Sequence, residues 1–96
     1  MHKKKIIQMD TIIVQTKGLI SADMDNEKVM MSIEQGKYYG LDAVGSYIWE
    51  LLVQPVSVKQ IIARLLEEYE VEANTCQKDV LAFLNKMHAK GVIAIG

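Results

Sequence analysis

The sequence has one cysteine, one proline, one arginine and two histidines in 96 residues, and each scarcity removes a class of explanation. A lone cysteine, Cys76, makes no internal disulfide, which excludes a disulfide-stapled scaffold and fits a reducing compartment. A single proline in a chain that is 50% hydrophobic and 24% charged describes a folding sequence, not a disordered one. The formal net charge of −1 provides no basic field to draw nucleic acid to the whole molecule. No apolar run approaches the roughly 20 residues of a membrane span. The start, "MHKKKIIQMDTIIVQ", imitates a secretory signal, but Gln8, Asp10, Thr11 and Gln15 interrupt the apolar run before it reaches the usual length. The expectation is a cytoplasmic protein whose Lys3, Lys4 and Lys5 form a solvated end.

The inventory for catalysis is equally thin. Cys76 and His88 are the one thiol–imidazole pair on defined elements, and twelve residues along one helix separates them by more than three turns. Neither a Cys-x-x-Cys nor a His-x-x-x-His pattern is present, and Asp23, Asp25 and Glu27 lack the glycine and distant glutamate of a calcium loop. Gly36, Gly40 and Gly45 lack the lysine that a phosphate loop needs. The reading is of a protein that is not an enzyme, with no catalytic residue, no metal and no cofactor.

What is there falls into two halves. In the first, "TIIVQT" (11–16) is β-branched, "LISADM" (19–24) alternates after Gly18, and Asp25-Asn26-Glu27 has turn composition. "KVMMSIE" (28–34) places Val29, Met31 and Ile33 on one face and Met30, Ser32 and Glu34 on the other. Gln35-Gly36 reads as a two-residue hairpin loop returning the chain along "KYYGL" (37–41), the edge of a small antiparallel meander.

The second half reads as three helices. Asp42 caps the first, whose apolar positions are Val44, Tyr47, Ile48, Leu51 and Leu52, and Pro55 stops it. "SVKQ" (57–60) is a capping box ahead of the stripe Val58, Ile61, Ile62, Leu65, Leu66 and Tyr69. The third helix starts near Asn74 or Thr75 and ends at Gly91, and its apolar residues cover more than one narrow stripe. "VIAI" (92–95) closes the chain as a short strand. The expected architecture is α+β and winged-helix-like, a three-stranded antiparallel sheet followed by a three-helix bundle. It forms one domain over 1–96, with 1–10 as a flexible extension.

Two partners suit such a fold. Winged helices bind DNA through a recognition helix, and Lys59, Arg64, Lys78, Lys86, His88 and Lys90 lie on the second and third helices. Specific readout leans on arginine, however, and Glu67, Glu68, Glu70, Glu72 and Asp79 surround these cations, so a DNA-binding regulator ranks second. The first reading starts from the edge strand, whose unpaired backbone groups accept a peptide as a further strand. Tyr39 and Leu41 share one face by period two, which directs Tyr39 toward the helices and leaves Tyr38 the more exposed ring. A free edge and a wide helix face also allow a simple dimer, so the expected state is a monomer or weak dimer.

The stretch "DNEKVMMSIEQGKYYGLDAVGSYIWELL" followed by "SVKQIIARLLEEYEVEANTCQKDVLAFLNKMHAKGVI" resembles the PqqD-like family, named from pyrroloquinoline quinone synthesis protein D. The resemblance rests on the hairpin into "YYGLDAVGSYIWELL", the "EEYEV" end of the second helix and "DVLAFLNKMHAKGVI", and it covers roughly residues 18–95. Members are RiPP recognition elements, domains that bind the leader of a ribosomally made precursor peptide. The resemblance implies a leader added as a strand to the third strand of the sheet, with its side chains in a cleft against the third helix. The "LLVQPVSVKQII" segment is most similar to standalone members of lasso peptide biosynthesis, which deliver the precursor to a leader peptidase before a lasso cyclase closes the ring. On this basis Lys37, Tyr38, Tyr39, Gly40 and Leu41 are expected to pair with the peptide backbone. Val80, Phe83, Leu84 and Met87 are expected to line the far wall, with Asp79 and Lys86 as charged rim contacts. Met87 stands where such sequences more often have leucine, a change that reshapes a pocket without threatening the fold.

Overall fold

The computed structural model describes residues 7–24, 27–32 and 36–96. Its elements are strands β1 (Ile12–Gln15), β2 (Leu19–Met24), β3 (Glu27–Ser32) and β4 (Lys37–Leu41), helix α1 (Ala43–Leu51), strand β5 (Val56–Ser57), helices α2 (Val58–Glu68) and α3 (Ala73–Ala89), and strand β6 (Ile93–Ile95). The alternating segments 19–32 and 37–41 form the antiparallel meander β2–β3–β4. Met30 pairs with Tyr39 and Lys28 with Leu41, so one face of the sheet carries these residues against the helices, and Met30 is wholly buried. The other face carries Ile20, Met31 and Tyr38 in a cross-strand row, and Tyr38 is 72% exposed. The expected Asp25-Asn26 turn lies outside the described residues, as do Ile33, Glu34 and Gln35 of the expected hairpin. Gly36, which closes that hairpin, has φ 67°, a left-handed conformation that favours glycine.

The segment 11–16 does not join the meander. β1 lies between β5 and β6 in a second antiparallel sheet, pairing Ile13 with Val56 on one side and with Ile95 on the other. Gly18, at φ 86°, redirects the chain between β1 and β2. The partners of β1 are more than 40 residues away in sequence, so local alternation carries no sign of them. The closing strand expected at 92–95 is the third member of this sheet. The expectation of a flexible 1–10 is corrected for its last residues: Ile7 is buried in the core, Met9 packs against it, and the Met9 carbonyl accepts the Lys59 amide N–H at 2.9 Å.

The helix ends follow their capping chemistry. The Asp42 carboxylate accepts the Gly45 N–H at 2.8 Å, and Ser57 and Gln60 form the reciprocal box at the head of α2. α3 begins at Ala73, slightly ahead of the expected Asn74. Gly91, at φ 79°, turns the chain beyond it, and its N–H donates to the His88 carbonyl. The core gathers Ile13 and Met30 from the two sheets around Leu52, Val58, Ile61 and Leu84, all essentially inaccessible. Leu66 and Tyr69, the end of the expected α2 stripe, remain more than a third exposed.

Lys28 fastens the meander to α1. Its backbone N–H donates to Ser46 Oγ at 2.8 Å, and its ammonium reaches Asp23 at 2.9 Å and Glu50 at 3.3 Å. This fixes the first turn of α1, and with it the approach of β4 to α3.

Candidate functional site

β4 is an edge strand of the meander, and α3 lies across from it. Between them is an open cleft of about 430 Å³. Its strand side is Tyr38, Tyr39, Gly40 and Leu41; its helix side is Phe83, Lys86, Met87 and Lys90, with Asp42 at the corner. Tyr39 points inward as period two requires and is half-buried, with the Lys90 ammonium 5.4 Å from its ring centroid, a cation–π contact. Phe83 is partly buried and leans on α1: its Cε1 is 3.2 Å from where a Cβ at Gly45 would stand. Glycine at that position is what allows the ring to come so close.

The expected site residues divide four ways. Tyr38, Tyr39, Gly40, Leu41, Phe83, Lys86 and Met87 meet in the one cleft. Lys37 is exposed at the start of β4, outside the cleft wall, while Asp79 and Val80 line a second pocket of about 490 Å³ between α1, the end of α2 and α3. Leu84, expected on the far wall, has no exposed surface and belongs to the core, where Ile62 and Leu65 of the α2 stripe are also buried. Sequence reasoning missed Lys90, Asp42 and the second pocket, whose apolar walls include Gly45, Tyr69, Val71 and Cys76. Val71, set between two glutamates after α2, was the available signal, since an apolar residue in an acidic connection needs a surface to rest on. Tyr69 is held edge-on by Tyr47, with ring centroids 6.0 Å apart at 78°.

The chemistry of the site is that of contact. Burial pushes the Cys76 thiol above its ordinary value and Asp79 adds to the effect, so the sulfur stays protonated and weakly nucleophilic at neutral pH. His88 is exposed near the opposite end of α3. Among the described residues no three His, Cys, Asp or Glu side chains gather as a metal site, and no helix is long and apolar enough to cross a membrane. Arg64 stands 3.8 Å from Glu67, which lowers the local charge that a phosphate backbone would meet.

An edge strand facing a partly apolar helix wall across an open cleft, in a small α+β chain, defines a class of fold suited to taking up an extended segment. The chain belongs to the PqqD family: the model of coenzyme PQQ synthesis protein D matches residues 27–93. It is similar to TbiB1, whose structure was solved in complex with the TbiA(beta) leader peptide. The two share 34% identity at a TM-score of 0.78, over 83% of this chain and 93% of that one. A lasso peptide synthetase B1 complexed with its leader peptide has the same fold at 22% identity and a TM-score of 0.76, over 85% of this chain and 96% of that one. No curated protein matches the sequence.

Proposed function

We propose that this protein is a non-catalytic, cytoplasmic recognition element that binds the leader of a ribosomally synthesised precursor peptide, in the manner of a lasso biosynthesis B1 protein. The leader adds to β4 as a fourth strand of the meander, and its side chains enter the cleft beneath Phe83 and Met87. The bound precursor is thereby presented to a leader peptidase and then to a lasso cyclase. The observation that carries this reading is the open edge of β4 facing α3 across the cleft, in a chain 34% identical to a protein solved with a leader peptide.

The energetics fit a reversible carrier. Three or four added backbone hydrogen bonds at about 1 kcal/mol each, with two or three apolar anchors at about 1.5–3 kcal/mol each, give a gross gain of about 6–13 kcal/mol. Ordering the leader removes about 2–5 kcal/mol and association entropy takes more, leaving roughly micromolar affinity. The test is an amide-resolved NMR titration with the leader of the short precursor encoded beside this protein. Shifts gathered on 37–41 and 79–87 support the reading; an unchanged spectrum at high peptide excess contradicts it.

A further inference from the structure

The β4–α3 cleft and the second pocket share two walls, Asp42 and the Phe83 ring, so they form one groove divided by Phe83. The two compartments carry opposite charge. Lys86 and Lys90 line the first, while Glu70 and Asp79 line the second, which has no basic residue in its wall. All four side chains are exposed, and none is in an ion pair among the described residues, where the pairs join Lys28 to Asp23 and Glu50, and Arg64 to Glu67. Compensation of the α3 dipole explains only part of this layout. Lys86 is in the last turn of α3, but Asp79 lies beyond its first turn and Glu70 stands on the connection before it. Asp42, at the boundary, adds to the acidic side.

We propose that this groove selects a leader segment with two apolar anchors, one on each side of Phe83, bearing acidic side chains beside the first anchor and basic side chains beside the second. The inference rests on the leader-binding reading and adds the composition of the leader that fits. Each compartment accepts an apolar side chain: the first on Tyr39 and Met87, the second on Tyr69, Val71 and Val80. The flanking charges then fix which way along the groove the segment lies, because the reversed placement sets like charges together at both ends.

The test pans phage-displayed random peptides of about twelve residues, enough to cross both compartments when extended, against the full-length protein and two charge-swapped variants. These are Glu70→Lys with Asp79→Lys, and Lys86→Glu with Lys90→Glu; all four positions are exposed, and a circular dichroism spectrum matching the unmodified protein's is required of each variant before panning. Peptides enriched on the unmodified protein should carry two apolar residues with acidic residues toward one end and basic residues toward the other. The first variant should lose the basic preference alone and the second the acidic preference alone. A peptide selected on the unmodified protein should bind either variant about three- to tenfold more weakly. Enrichment of the same charge pattern on all three proteins, or of peptides with a single anchor, would overturn the two-compartment proposal and leave leader binding standing. Failure to enrich any peptide on the unmodified protein would contradict both.

Discussion

Phe83 is the residue on which the site turns, because its ring is wall to both compartments and rests on the bare backbone of Gly45. Phe83→Ala removes a wall of both compartments while leaving the core residues Val80, Leu84 and Met87 in place. Leader affinity should fall by about 10- to 100-fold, the equivalent of one buried aromatic anchor, with an unchanged circular dichroism spectrum. Fluorescence anisotropy with a labelled leader measures the loss, and an undiminished affinity in a folded variant would remove Phe83 from the site. Tyr47 makes a different residue-scale prediction. Its hydroxyl is buried with no hydrogen-bond partner among the described residues, a desolvation cost that phenylalanine avoids while keeping the ring against Tyr69. Tyr47→Phe should therefore raise unfolding stability by up to about 1 kcal/mol in a urea titration. A loss of stability would mean that the hydroxyl has a partner in solution.

At the scale of elements, β4 pairs with β3 on one edge, and the proposed strand addition places the peptide on the other. In an antiparallel ladder consecutive residues send their N–H groups to opposite edges. Of Tyr38→Pro and Tyr39→Pro, one therefore removes a bond to β3 and loosens the meander, while the other removes a bond to the leader from an otherwise folded protein. The expected outcome is one variant with a lowered melting temperature and one that melts normally but binds weakly. Two folded variants with full affinity would exclude backbone pairing. This element was legible in the sequence. Leu41 anchors the entry to α1, period two carries Tyr39 inward, and the caps at Asp42 and Ser57 fix where the helices begin. The second pocket was not legible, because its walls come from α1, the α2–α3 connection and α3, and no local period reports how three segments converge.

At the scale of the whole molecule, the second sheet is the part that sequence periodicity leaves out. The pairing of Ile13 with Val56 and Ile95 closes the fold around both ends of the chain, and only tertiary packing reveals it. The meander, by contrast, is tied to the helices by Lys28, and that tie has a pH signature. The hydrogen bond to Asp23 raises the Lys28 pKa above its ordinary 10.5, burial opposes the shift, and Glu50 adds to it. A raised folded-state pKa gives stability that is complete below the unfolded value and is lost as pH rises through the folded one. Cys76, also raised, acts with the same sign from its own lower range upward. The melting temperature should therefore decline on the alkaline side, and Lys28→Met should make that decline shallower at its most alkaline end. Parallel curves for the two proteins would deny Lys28 this role.

The central claim is that β4 accepts a peptide as a strand. Amide hydrogen exchange at Tyr38, Tyr39 and Gly40, measured residue by residue with and without saturating leader, tests it most directly. Strand addition predicts that the N–H groups on the outer edge of β4 pass from fast exchange to protection when the leader binds, while those paired with β3 change little. Saturation by the leader with every β4 amide exchanging as in the free protein would contradict the account.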